Sequence, residues 1–486
     1  LSHIIPSFLI KKKRRIIMTD KKTKKDRTKS WTRYGKVDMT ESLRFLMDTV
    51  TAYKTEREWV RWLQSDLERK GSKEVIETSS LEPGDTVHMN WKGRALLAAK
   101  VGRKGLSSGV TVIASHIDSP RVDVKSRPLY EEGNLGLLDC HYYGGLKKYQ
   151  WTNVPLALHG EIHRGDGTSE RIVIGEDSSE PVLMIPDLEP HVDRDMAKRK
   201  ASETVVGEDL DAIVGHRPIE DDEIENPIKE SILSLLKDRF AMDEQDFLSA
   251  DLALVPAGPA RLAGLDESMV SSYGLDDRIC TSMSYKAFCD METPDKTAIF
   301  VAVDREEIGS ESIGGIQGTF LDLFLLELLR SAENRSDILS LRRLYSESCA
   351  ISADVTSGMN PLYKKNYVRD QQALIGNGVG VVKFTGSGGK YDGNEARGEF
   401  VAAVVACLDR AEVPWQTGGF GTVDKAGGGT IAKYLARTGM DTLDMGPALL
   451  SMHAPMEIAS VADVEALYRS YIALWTDLEQ APRPSI

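Results

Sequence analysis

The chain has 486 residues, 41% hydrophobic and 28% charged, with a formal net charge of -13. This length supports a large core and about two or three domains, and the composition is that of an ordinary globular protein. The acidic balance excludes a general nucleic-acid binder, which needs a basic surface, and no segment is long and apolar enough to span a membrane.

Residues 1–37 stand apart, with 13 Lys/Arg against 2 Asp/Glu, a net of +11 that leaves -24 on the rest of a chain totalling -13. Such an acidic body suits the cytoplasm. "HIIPSFLIKKKRRIIMTDKKTKKDR" places its charges after its apolar part and lacks a small-residue cleavage site, so it does not read as a signal peptide. Either Met18 is the true start, with Leu1 to Ile17 an over-extended reading of the gene, or residues 1–37 form a disordered basic arm.

From Met39 to Gly71, apolar residues recur at helical spacing (Leu43, Leu46, Val50, then Trp59, Val60, Leu63, Leu67), predicting one or two amphipathic helices. "VTVIASHID" (110–118) and "AIFVAVD" (298–304) are nearly continuous apolar runs, the pattern of strands buried on both faces. "CAISADVT" (349–356) and "GVGVVKF" (378–384) predict further strands, and helices are expected at 277–290, 316–333, 395–412, 428–438 and 461–479. Strands alternating with helices give an α/β class: a mixed, mostly parallel sheet flanked by helices. Residues 120–260 break that rhythm with short alternating strands ("LALHGEIHR", "RIVIGE") and the polar stretch "EPHVDRDMAKRKASETVVGED". They read as a β-rich domain inserted between 38–119 and 261–486. The five cysteines are scattered without a CxxC pair, as expected of reduced thiols.

HExxH and GxxxxGK[ST] are absent, and no GxSxG nucleophile elbow follows a predicted strand. "GSGGKYDG" (386–393) has the wrong spacing for a phosphate loop, and "GNGVG" (376–380) is too short for a dinucleotide fingerprint. What remains is a set of acids and imidazoles at predicted strand ends: His116 and Asp118 in "SHIDSP", Asp276 and Asp277 in "YGLDDRI", Glu306 and Glu307 in "VAVDREEIGS", Asp354 in "ISADVT" and His453 in "LSMHAPMEI". In an open α/β sheet the carboxyl ends of the strands line the ligand crevice. Singly, His116 reads as a core histidine, Asp354 as a helix cap and His453 as a loop residue; together they read as a site. Oxygen and imidazole donors without thiolate suit zinc, manganese or cobalt, and two histidines with three carboxylates suit a pair of ions sharing one carboxylate. On an extended backbone Glu306 and Glu307 point to opposite sides. One can then hold metal while the other acts as general base.

"SHIDSP", "LDD", "DREEIGS", "SADVTSGMNPLY", "VPWQ", "GGGTIA" and "SMHAPME" fall in the order of the motifs of the tetrahedral dinuclear metallo-aminopeptidases, and over roughly residues 40–480 the chain resembles that family of aspartyl aminopeptidase and aminopeptidase I. The resemblance implies a phosphorylase/hydrolase-like catalytic domain, cleavage of N-terminal residues from peptide substrates, and two divalent ions per subunit, zinc first, with cobalt or manganese as substitutes. It makes His116, Asp276, Glu307, Asp354 and His453 the ligands, with Asp276 bridging, Glu306 the general base, and Asp118 the carboxylate that fixes the imidazole tautomer. It further implies that 120–260 is a dimerisation domain, that the chain assembles as a dodecamer built from dimers, and that His191 enters a neighbour's site. Lys383 aligns with a lysine that could meet an acidic substrate side chain; alternatively it is a solvated strand-end lysine. The chain departs from the family where Asp277 replaces a frequent Asn and where "GGGTIA" replaces "CGSTIG". A related carboxypeptidase or deacylase, and a self-assembling scaffold without catalysis, are the rival readings.

Overall fold

The computed structural model describes residues 30–34, 40–221, 223–368 and 370–479. Its central element is a nine-stranded sheet in the order Lys73–Glu74, Thr86–Trp91, Ala95–Lys100, Thr297–Val303, Val110–His116, Cys349–Ser352, Asp441–Gly446, Val379–Val382, Trp415–Thr417. Four central strands, Thr297–Val303 through Asp441–Gly446, run parallel. Their neighbours Ala95–Lys100 and Val379–Val382 are antiparallel to them. The register sets Val303 against His116 and Ser352 against Ala114, so the chain leaves these strands at one edge.

The apolar runs fill both faces because side chains alternate along a strand. Ile113, Phe300, Ala302 and Ile351 pack with Leu46, Trp59, Met283, Phe400 and Leu467, from helices on one face. Val112, Ala114, Ile299 and Val301 pack with Phe320, Phe324, Leu341 and Leu435 on the other. The helices are Glu41–Ala52, Glu56–Arg69, Leu275–Asp290, Gly398–Arg410 and Val461–Asp477 on the first face, and Phe320–Glu333, Ile338–Glu347 and Ala432–Arg437 on the second. Four are shorter than the sequence pattern predicts: 316–333 begins at Phe320, 395–412 spans Gly398–Arg410, 428–438 spans Ala432–Arg437 and 461–479 ends at Asp477. Gly318, and Gly428 with Gly429, occupy the missing first turns of 316–333 and 428–438, where a helix loses backbone entropy without gaining packing.

Residues 120–260 contain a separate antiparallel sheet in the order Ser169–Ile174, Leu156–His163, Asp251–Pro256, Arg121–Glu132, Leu135–Tyr143, Ala212–Gly215. The helix Pro227–Phe240 covers it, and it has a core of its own that includes Leu158, Ile172, Trp151 and Leu254. A third sheet joins Arg261–Ala263, Met269–Ser272, Glu457–Ser460, Ala448–Leu450 and Thr356–Ser357. It ties the segments before Asp276 to those after His453.

Most of the basic arm lies outside the described residues. Within it, Ser30–Tyr34 is a docked helix, which corrects the expectation that all of 1–37 is disordered. Trp31 packs on the core, and the Ser30 hydroxyl donates to the buried Asp463 at 2.8 Å. Among the described residues no helix is long and apolar enough to cross a membrane.

The seam between the central and antiparallel sheets is built from charge. His159, 1% exposed, lies between Glu58 (Nδ1 to Oε1, 3.1 Å) and Glu176 (Nε2 to Oε1, 2.9 Å). Lys54 reaches Glu176 at 2.6 Å and Arg171 reaches Glu58 at 2.6 Å. Burial alone would lower the histidine pKa, but the two carboxylates outweigh it and raise it. A raised folded pKa gives stability that is fully present below the unfolded value of about 6.5 and is lost as pH rises through the folded value. His159→Ala is therefore expected to cost about 3 kcal/mol at pH 6, the scale of a broken buried ion pair. Denaturant titrations should show that deficit shrinking at alkaline pH, and a deficit independent of pH would contradict the ion-pair account.

Candidate metal centre

The cluster forms where the parallel strands end. His116 is the last residue of Val110–His116, Asp354 follows Cys349–Ser352 by two residues, and Glu306 and Glu307 follow Thr297–Val303. Asp276 and Asp277 sit at the start of Leu275–Asp290 in non-helical conformations, and His453 lies in a turn at φ +67°. Asp276 is central. Its Oδ1 lies 3.3 Å from His116 Nε2 and its Oδ2 lies 3.2 Å from His453 Nε2. His116 Nε2 is also 3.9 Å from Asp354, and His453 Nε2 is 3.4 Å from Glu307 Oε1. These side chains and Glu306 line one cavity of about 420 Å³, which Phe420, Lys433, Tyr434 and Met452 extend.

Two triads bring donor atoms within 4.8 Å of one another: His116 with Asp276 and Glu307, and His116 with Asp277 and Asp354. Asp276 Oδ1, Glu307 Oε1 and both Asp277 oxygens are buried without a hydrogen-bond partner. Burial drives the pKa of Glu307, Asp354 and Asp277 well above the usual carboxylate range, and that of Glu306 up to about 7. Burial would raise Asp276 too, but the two imidazoles outweigh it and hold its carboxyl low. His453 is lifted to about 10, its burial outweighed by Glu307 and Asp276. Buried carboxylates facing one another with unpaired oxygens are relieved either by protons, as their raised pKa values show, or by cations. The donor set, oxygen and imidazole without thiolate, fits zinc.

Each imidazole is held through its other nitrogen. His116 Nδ1 lies 2.9 Å from the Asp118 backbone carbonyl, and His453 Nδ1 lies 3.0 Å from the Gly145 carbonyl. A carbonyl can only accept, so the proton is on Nδ1 and Nε2 offers its lone pair to the cluster. The Asp118 carboxylate stands 3.4 Å from the same Nδ1, within ion-pair reach. That carboxylate also accepts from the backbone N–H groups of Glu306 (3.1 Å) and Glu307 (3.2 Å). The two glutamates are likewise not on extended backbone. They form a 3-10 turn, Glu306–Ile308, entered through Arg305 at φ +70°, and they diverge because of that turn.

Two expected residues lie elsewhere. His191 is exposed in a turn of the antiparallel-sheet segment and is absent from the lining of its own chain's cavity. Lys383 is exposed just beyond Val379–Val382 and lines an adjoining cavity of about 320 Å³, which shares Phe420 and Gly427 with the first. Sequence reasoning missed Glu457, whose buried carboxylate accepts from the backbone N–H of Asp276 (3.0 Å) and of His453 (2.7 Å). Its acidity inside the quoted motif, at the start of an otherwise apolar strand, was the available signal.

A family profile described as aminopeptidase I zinc metalloprotease (M18) matches residues 49–475. The chain belongs to the M18 family. It is an aminopeptidase, a hydrolase acting on peptides, as its relatives are named. The probable M18 family aminopeptidase 1 of Thermotoga neapolitana is 40% identical over 461 residues, 94% of this chain and 100% of its own. The crystal structure of the M18 aminopeptidase of Thermotoga maritima superposes with a TM-score of 0.89 at 36% identity, covering 93% of this chain and 99% of its own. A more distant structure, a Saccharomyces cerevisiae mApe1 dodecamer, shares the fold at a TM-score of 0.69 and 20% identity over 89% of this chain and 95% of its own.

Proposed function

We propose that this M18 aminopeptidase holds two divalent cations, zinc in the first instance and cobalt or manganese in its place, and hydrolyses the N-terminal peptide bond with Glu306 as general base. The observation that carries the reading is the division of Asp276: one oxygen faces His116 and the other faces His453, at 3.3 and 3.2 Å. His116 and Asp354 would hold one ion, Glu307 and His453 the second, and Asp276 would bridge them. When bound, the ions polarise the scissile carbonyl and acidify the attacking water.

Everything else falls to the chain. Glu306 takes the proton of the attacking water as the carbon–oxygen bond forms, and the same carboxyl returns it to the leaving amine nitrogen as the carbon–nitrogen bond breaks. Burial lifts its pKa to about 7 before any cation is bound, and beside a cation it returns toward the carboxylate form that a base requires. Asp118 keeps this base and the adjacent ligand in a fixed relation by holding both of their backbone N–H groups. The Nδ1 hydrogen bonds keep both imidazoles aimed at the cavity.

Assembly extends the reading. The segment 120–260 would serve as the dimerisation domain of a tetrahedral dodecamer with its sites facing an internal chamber, and His191 would enter a neighbour's cavity. Val182, Leu188, Val192 and Val206, exposed apolar side chains of this segment, are what supports a covered surface here. Lys383, one cavity away from the cluster, would meet an acidic side chain of the substrate.

Glu306→Gln keeps size and hydrogen bonding but removes the base. Metal analysis should find both ions retained while turnover falls by roughly 10²-fold or more. Glu307→Ala should instead lose metal, and added metal should restore little. The opposite pattern would reverse base and ligand, and full activity in a verified metal-free preparation would end the dinuclear reading. His191→Ala should lower turnover with metal content intact, and light scattering that finds a fully active monomer would exclude its role. Lys383→Met should depress cleavage of acidic N-terminal residues alone; an unchanged ratio of acidic to neutral cleavage removes the lysine from recognition.

A further inference from the structure

The strand Leu135–Tyr143 of the antiparallel sheet ends against the metal cluster, and its last residue with the two that follow makes three separate contacts there. Tyr143 is 6% exposed, and its hydroxyl donates to Asp118 Oδ2 at 2.7 Å. The same carboxylate accepts from the backbone N–H groups of Glu306 and Glu307. With Arg121 stacked on its ring at 4.3 Å, the tyrosine is a fixed donor that holds Asp118 in the one orientation able to serve both N–H groups. Gly145 supplies the carbonyl that binds His453 Nδ1 at 3.0 Å.

The glycines are required by approach as well as by hydrogen bonding. Gly144 has φ +76°, and a Cβ there would stand 3.4 Å from Glu307 Cβ and 3.3 Å from Pro120 Cγ. A Cβ on Gly145 would stand 3.4 Å from His453 Nδ1, on the nitrogen already engaged by its own carbonyl. The segment thus lies in van der Waals contact with the Glu307 and His453 half of the cluster, so that an added side chain presses on it.

We infer that Tyr143, Gly144 and Gly145 form a positioning element for the catalytic centre: Tyr143 orients Asp118, and through it the Glu306–Glu307 turn, while the Gly145 carbonyl sets the tautomer and aim of His453. The antiparallel sheet therefore acts on turnover within its own chain, independently of any neighbour. Deleting the whole sheet would remove this element together with any assembly contact, so loss of activity on deletion cannot by itself report on assembly. Point substitutions separate the two.

The inference rests on the proposed metal chemistry, so the full-length, metal-loaded wild type is the reference. Tyr143→Phe keeps the ring and the Arg121 stack and deletes the hydroxyl. On a neutral aminoacyl p-nitroanilide its kcat is expected to fall about 10-fold, the lower end of what losing an outer hydrogen-bond partner costs, with KM within about twofold and metal content unchanged. Tyr142→Phe, one residue earlier and 40% exposed, is expected to match wild type. Gly145→Ala should weaken metal retention in a chelator titration about 10-fold. A Tyr143→Phe kcat within twofold of wild type, or an equal loss in Tyr142→Phe, overturns the role of Tyr143; an unchanged chelator curve in Gly145→Ala overturns that of the glycine. If Tyr143→Phe does not fold, Gly145→Ala decides alone. A wild type that is active without metal removes the proposed chemistry, whereas a metal-dependent wild type with unaffected variants removes only the positioning element.

Discussion

Too many carboxylates are buried together, and that constraint organises the rest of the structure. Asp276, Glu306, Glu307 and Asp354 line one cleft with only two imidazoles among them, and Asp277 lies close beside His116 and Asp354. Two like charges at 4 Å repel by about 4 kcal/mol at an effective dielectric of 20. The unpartnered oxygens of Asp276, Asp277 and Glu307 show that hydrogen bonding inside the chain does not relieve this repulsion. Such a cluster is suited to cations, as the family's description as a zinc metalloprotease implies, and it needs a frame rigid enough to keep the acids from turning away.

The frame comes from parallel strands that end together and from groups that grip backbone rather than side chains. Asp118 holds the N–H groups of Glu306 and Glu307, and Glu457 those of Asp276 and His453. The carbonyls of Asp118 and Gly145 hold the far nitrogens of the two histidines. The three larger sheets all contribute: the central one carries His116, a strand of the antiparallel one ends in Tyr143, and the third carries Glu457 beside Ser272, four residues before Asp276. This is the usual relation between metal ligands and their supports, in which the outer partners fix direction and basicity.

Much of the central sheet was legible because its strands are buried on both faces and so read as unbroken apolar runs ending in His116, in Asp304 and just short of Asp354. Thr86–Trp91 and Ala95–Lys100 were not, since an alanine-rich run such as "ALLAAK" carries no period that separates strand from helix. Asp441–Gly446 was hidden by its acids, of which Asp441 pairs with Arg397 at 2.6 Å and Asp444 accepts from Thr430. Strand alternation was the expected reason for Glu306 and Glu307 to point apart, but the backbone there is a 3-10 turn whose Glu306 N–H group is held by Asp118, 188 residues away in sequence. Glu457 stood out only as an acid at the start of an apolar strand, and its partners, like that of Tyr143, are brought to it by long-range pairing. The docking of Ser30–Tyr34 has the same cause, a buried Asp463 far along the chain.

The central claim is that Asp276 stands between two ions. Anomalous diffraction at the zinc edge from crystals grown with zinc tests it most directly. The account predicts two peaks about 3.5 to 4 Å apart on either side of the Asp276 carboxylate, one beside His116 and Asp354 and the other beside Glu307 and His453. A single peak, or two peaks that both lie on one side of Asp276, would contradict it.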